Sequence, residues 1–212
     1  WARVITSGYQ VSQRLQQEGF DAHFVPKGYD QALLHNEHLE RDIELGFIGS
    51  IKAKTYSARK ALLDGLAASE NLLVTRTNSG ADYANTLNRI RFFIGADVGM
   101  GEYMIKNFEA MACGCILFAW NQGSDENTAL GLKDMENIVL YQSLEELRAK
   151  LASLRADPSH ADTIARGGQL LAEQAFSWDL IGEKVVSAMA PPLRQPLVSG
   201  FPGLRRYSWK QG

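Results

Sequence analysis

Residues 108–120 read FEAMACGCILFAW. One carboxylate, Glu109, stands in an otherwise apolar and small-residue run, and Gly114 interrupts that run before a second apolar stretch begins. This pattern predicts a helix carrying Glu109, a stop at Gly114 and a strand over 115–120, because Gly readily takes the left-handed backbone of a helix C-terminus. A helix passing directly into an apolar strand is half of a βαβ unit, which points to an α/β fold with a parallel sheet. An unpaired carboxylate in such surroundings is costly. Glu109 is therefore either a covered structural partner or a group held out to a ligand.

The same alternation extends on both sides. Arg3–Thr6 and Ala22–Val25 read as strands flanking a helix over Val11–Glu18, and Pro26–Asp30 (PKGYD) breaks the pattern. A polar stretch through Arg41 reads as a connector between two units. A second series opens with a strand at Ile43–Ile48, followed by a helix in which Leu62, Leu63 and Leu66 share a face. Strands at Asn71–Thr75 and Arg91–Ile94 enclose a helix over Tyr83–Ile90, and Ile138–Tyr141 is a further strand. Ser143 with Glu146 fits a capping box opening a helix with a Leu144, Leu147, Leu151 and Leu154 stripe. Helices over about 161–174 and 178–189 follow, and Pro191, Pro192, Pro196 and Pro202 make the tail irregular.

The composition is 45% hydrophobic, enough for a substantial core, and 22 Lys and Arg stand against 24 Asp and Glu. A balance so near neutral leaves no electrostatic footprint that points to nucleic acid or an acidic membrane, so no nucleic-acid partner is expected and any anion site must be local. No apolar run reaches the roughly 20 residues of a bilayer span and no secretory leader opens the chain, so the expected setting is the cytoplasm. The chain starts at Trp1, which suggests a longer parent. Cys113 and Cys115 are expected to be small buried thiols. His35 and His38, with Glu37 and Glu40, are expected in a polar connector, since nothing there completes a tetrahedral metal set. His23 is expected to be a packed or edge-strand residue.

Two loops suit an anion. In Gly49–Arg59 (GSIKAKTYSAR), a strand ends in Gly49 and Ser50, and Lys52, Lys54 and Arg59 follow before or within the next helix. Its backbone N–H groups and cations suit a diphosphate, although a solvated loop with ordinary surface cations explains them equally well. In Gly95–Gly114 (GADVGMGEYMIKNFEAMACG), glycines precede a helix with Lys106 near its first turn and Glu109 one turn inside. A phosphate at that helix N-terminus and sugar hydroxyls on Glu109 would form a nucleotide-sugar site.

At FEAMACGCILF the chain resembles the group 1 glycosyltransferases, whose GT-B fold has two Rossmann-like halves facing across a cleft. FVPKGYD resembles their interdomain connector, IELGFIGSIKAK the first strand and phosphate loop of the C-terminal half, and LRADPSHADTIARGGQLLAEQAFSWDLIGEKVV its closing helices. The resemblance implies a remnant of the N-terminal half at 1–26, a connector at 27–42, a nucleotide-sugar-binding Rossmann-like domain at 43–190 and a tail at 191–212. It also implies Glu109 as the ribose-hydroxyl ligand. Family 4 members place seven residues between their paired acids, whereas six lie between Glu102 and Glu109, and the family's first position falls on Gly101. The family's Arg after the first-strand Gly is Ser50 here, so Lys52, Lys54 or Arg59 would substitute. This pattern is similar to the branch of spore-maturation CgeB-like proteins.

The expected activity is transfer of a sugar from a nucleotide diphosphate to a glycan, lipid or protein, by a chain that is mostly the donor-binding half and lacks most of its N-terminal partner. The alternatives are a nucleotide-sugar epimerase of the same architecture and a non-catalytic nucleotide-sugar-binding module. The resemblance implies no metal or other cofactor, and no Asp-x-Asp pair suggests one. The tail FPGLRRYSWKQG allows peripheral membrane contact at most, because two Arg and one Lys attract a surface weakly, and docking against the missing half explains it equally well. The sequence assigns no catalytic base and does not choose between retention and inversion.

Overall fold

A computed structural model describes residues 3–52 and 56–193. Lys54 and the tail from residue 194 onward lie outside the described residues. Among the described residues there are two parallel sheets. A two-stranded sheet pairs β1 (Val4–Thr6) with β2 (Ala22–Phe24), joined by α1 (Tyr9–Gln17). A five-stranded sheet contains β3 (Ile43–Ile48), β4 (Leu72–Thr75), β5 (Ile90–Gly95), β6 (Ile116–Trp120) and β7 (Val139–Tyr141), in the order β4-β3-β5-β6-β7. The connecting helices are α2 (Ser57–Ala67), α3 (Ala81–Arg89), α4 (Ile105–Ala112) and α5 (Ser124–Leu130). Three closing helices follow: α6 (Leu144–Ala156), α7 (Pro158–Ala175) and α8 (Trp178–Met189).

Alternation along each strand divides the large sheet into two faces. Leu45, Phe92, Ile94, Phe118 and Tyr141 pack beneath Leu62, Leu63 and Leu66 of α2 and the Leu147, Leu151 and Leu154 stripe of α6. Phe93, Leu117, Ala119 and Leu140 point the other way, toward Leu87 of α3, Phe108 and Met111 of α4 and Ala172 of α7. Burial on both faces explains why β5 and β6 read as nearly unbroken apolar runs rather than as polar and apolar alternation.

The helix end at Gly114 forms as its sequence predicts. Gly114 takes φ +75° just past α4, its N–H donates to Met111 O at 2.9 Å, and Cys115 N–H donates to Ala110 O at 2.9 Å. These two bonds make a Schellman close, which returns the chain into β6 without a loop. Arg41 supports the same junction, donating from Nη2 to Cys113 O at 2.6 Å and from Nη1 to Ile90 O at 2.8 Å. Both cysteines are free and buried.

β3 lies between β4 and β5, so the chain runs outward on one side of β3 and returns on the other. The loops after β3 and β5 therefore lead to helices on opposite faces, α2 and α4. They part at the carboxyl edge of the sheet and leave a crevice there, which is the usual ligand position in open α/β sheets.

Candidate nucleotide-sugar site

A cavity of about 540 Å³ occupies that crevice. Its size lies within the range of small-molecule sites, about 300–1,000 Å³. One wall is Gly49, Ser50 and Arg59, a second is Arg76–Gly80 with Tyr83, and the floor includes Lys106, Asn107 and Glu109 of α4. Gly49 is needed here for close approach. A Cβ on it would lie 2.8 Å from the Phe47 ring and 3.1 Å from Lys106 Nζ, so only glycine lets the backbone rest against that ammonium.

Met104, the residue before α4, contributes no side-chain cap, and Asp97 Oδ2 accepts from its N–H at 3.2 Å, so a carboxylate already meets part of the positive end of the helix dipole beside the cavity. Lys106 Nζ donates to Ile48 O at 2.6 Å and lies 5.9 Å from the centroid of the Tyr83 ring. Burial lowers its pKa below the usual lysine value, opposed by Glu109. One turn further along, Glu109 Oε2 accepts a hydrogen bond from Tyr83 Oη at 2.5 Å. Burial raises the Glu109 carboxyl above the usual carboxylate range, while the Tyr83 bond and the Lys106 charge pull against it. Glu109 is thus both things its sequence setting allowed, a partnered group and part of a cavity wall.

Arg59 also reaches the cavity, but much of its guanidinium is engaged within the protein. Nε donates to Ala96 O at 3.1 Å, Nη1 to Ser50 O at 3.2 Å and Nη2 to Asp97 Oδ1 at 3.2 Å, while its carbon centre sits 4.3 Å from the Tyr56 ring centroid. Asp97 Oδ2 accepts from Asn107 Nδ2 at 2.8 Å and from Met104 N–H at 3.2 Å. Asp97 thereby ties the β5 loop to the start of α4, and Arg59 ties it to the Ser50 loop. Burial raises the Asp97 carboxyl.

Lys52, Gly101 and Glu102 do not line the cavity. Lys52 is exposed and is not among the cavity's lining residues. Gly101 is exposed in the loop after β5, at φ +71°. Glu102 points toward the N-terminal sheet, where its Oε2 accepts from Lys27 Nζ at 2.5 Å and from Ser7 Oγ at 2.9 Å. Lys54 lies outside the described residues. Among the described residues, no group of three or more His, Cys, Asp or Glu could hold a metal ion, and no helix is long and apolar enough to cross a membrane.

Residues 33–186 match the family described as glycosyl transferase-like, and these span the five-stranded sheet and the helices that form the cavity. The chain belongs to the glycosyl transferase-like family. No match was found among curated proteins. Among solved structures, HepE of Anabaena in complex with UDP and glucose superposes with a TM-score of 0.68 at 15% identity, over 90% of this chain and 63% of HepE. Sucrose-phosphate synthase of Thermosynechococcus elongatus gives 0.65 at 15% identity, over 88% and 57%, and a glycosyltransferase of Rickettsia africae 0.65 at 13%, over 90% and 64%. Likeness at this identity shows the fold, that of a GT-B glycosyltransferase C-terminal domain. The chain spans about 57–64% of the length of these structures.

Within this glycosyl transferase-like domain, Tyr83 and Asp97 are the site residues that sequence reasoning missed. Tyr83 sits in the polar run ADYANTLNR, which marks only an amphipathic helix. Asp97 sits in GADVGMGEY, where the glycines drew attention to the backbone. A carboxylate two residues beyond an apolar strand was the available signal for Asp97, since a charge so close to a core needs a partner.

Proposed function

We propose that this chain is the donor-binding part of a glycosyltransferase, moving a sugar from a nucleotide-diphosphate sugar to a glycan, lipid or protein acceptor. The observation that carries the reading is the pairing of Glu109 with Lys106 and the first turn of α4 in one cavity at the carboxyl edge of a parallel sheet. The helix end and the ammonium suit a diphosphate, and a carboxylate one turn inside suits the vicinal hydroxyls of a ribose. Gly49 and Ser50 bring a second backbone segment to the same cavity, with Arg59 as further positive charge in its wall. The structurally similar HepE, solved with UDP-glucose, supports this class of ligand.

In this reading the fixed charges and dipoles stabilise the nucleotide diphosphate as it departs, and they do so without metal. The acceptor site and the catalytic base belong to an N-terminal half facing the cavity. Within this reading, the acid spacing and the FIGS and FEAMACG segments support kinship with the CgeB-like branch.

Titration of the purified chain with nucleoside diphosphates and their sugars, repeated with Glu109→Ala, tests the proposal. One nucleotide should bind, and the substitution should weaken it by about 1 to 3 kcal/mol, the cost of hydrogen bonds lost from a charged partner. Equal affinity for both proteins would remove Glu109 from the site.

A further inference from the structure

Tyr83 and Glu109 stand on different helices, α3 and α4, and both line the cavity. The Tyr83 hydroxyl donates to Oε2 of Glu109, and among the described residues Oε1 receives no hydrogen bond from the protein. A glutamate side chain has three rotatable bonds and a carboxylate plane that turns easily. One firm bond to one oxygen removes most of that freedom and leaves the other oxygen for a ligand. Tyr83 is itself held by packing against the core that contains Leu87 and Phe93.

We propose that Tyr83 is a positioning residue, which fixes the orientation of the Glu109 carboxylate so that the cavity selects ribonucleoside diphosphates over their 2′-deoxy counterparts. This rests on the reading of Glu109 as the ribose ligand. A purely structural Tyr83 would cover a buried carboxylate and affect all nucleotides equally. A positioning Tyr83 affects those that carry the hydroxyl.

The charge environment supports the assignment. Among the described residues, the titratable and charged groups acting on or facing Glu109 are Tyr83 from α3, Lys106 from α4 and Cys113 just past its end, with Arg59, Arg76 and Asp97 acting on Lys106. Burial favours the neutral acid, which would offer a donor where the ribose needs an acceptor, and the Tyr83 bond opposes that change.

The test uses the chain and its Tyr83→Phe variant, each titrated calorimetrically with UDP, GDP and ADP and with the 2′-deoxy form of each. Carbon-13 NMR titration of the Glu109 carboxyl is run in parallel without ligand, and thermal melts establish that both proteins are folded. The wild type should prefer the ribonucleotide by roughly 10- to 100-fold, as for hydrogen bonds to a charged group. In Tyr83→Phe the preference should shrink to within about threefold on the same scale, and the Glu109 carboxyl should titrate at higher pH. A variant that keeps both the full preference and the wild-type titration overturns the role of Tyr83 and leaves the ribose reading standing. A wild type that binds nucleotides without regard to the 2′-hydroxyl, or binds none, overturns the ribose reading and this proposal with it, while the NMR titration still shows whether Tyr83 governs the carboxylate. Should Tyr83→Phe melt early, the titrations are repeated well below its melting midpoint, where an undiminished ribose preference still overturns the role of Tyr83.

Discussion

Arg59 and Asp97 meet at 3.2 Å where Arg59 is 7% and Asp97 4% exposed. Such a pair is weak evidence of stabilisation as a whole, but losing one member leaves the other charge buried without compensation. Asp97→Ala should therefore destabilise the protein by about 3 to 5 kcal/mol, read from urea unfolding. A loss below about 1 kcal/mol, the size of a surface pair, would mean that Arg59 finds solvent once Asp97 is gone. The residue scale also explains why Arg59 looked like a free phosphate ligand in the sequence. Its partners Ser50, Ala96 and Asp97 are up to 38 positions away, and spacing along the chain says nothing about which donors a fold will use.

Elements with a local cause formed where their residues indicated. Ser143 Oγ accepts from Glu146 N–H at 3.0 Å, as a capping box requires, although the Glu146 carboxylate reaches Gln142 N–H at 2.8 Å, one residue before the cap. Ser143→Ala should cost about 1 kcal/mol, within the range of about 0.5 to 2 for a lost N-cap, and lower the thermal midpoint. An unchanged midpoint would mean that solvent replaces the hydroxyl at no cost. α7 starts at Pro158, three residues before the expected Ala161, because Asp157 Oδ1 accepts from His160 N–H at 3.0 Å and Pro suits the first helical turn. α5 was not foreseen. Its seven residues SDENTAL bury only Glu126 and Leu130, too few for a period, and Glu126 is held by Tyr9 and Gln10 N–H groups at 3.2 Å on α1.

At the scale of the whole molecule, Arg3 joins the two ends of the described chain. Nε donates to Asp21 at 2.9 Å, and the guanidinium also caps the end of α8 through Ala188 O at 2.8 Å and Pro191 O at 2.7 Å. Burial raises the Asp21 carboxyl, but hydrogen bonds and charge from Arg3 and His23 outweigh it and hold the group below its ordinary value of 3.8. A carboxyl lowered in the folded state contributes stability that is present above its unfolded pKa and is lost as the pH falls through the folded one. Urea midpoints of the wild type should therefore fall as the pH drops below about 4, and Asp21→Asn should lack that portion of the fall. Identical acid profiles for the two proteins would show that Asp21 is not one of the groups whose titration unlocks this junction.

The sequence by itself determined the α/β class, the parallel strands and most helices, because hydrophobic period, caps and Gly114 act over a few residues. It also singled out Glu109, since a charge in an apolar run is anomalous wherever the chain goes. Tertiary structure decided what each polar group meets. The strand order that opens the crevice between β3 and β5, the bond from Tyr83 to Glu109, the enclosure of Arg59 and the turning of Glu102 toward Lys27 all join residues far apart in sequence. Such contacts follow from how two sheet faces are covered, and that is settled only when every element is packed at once.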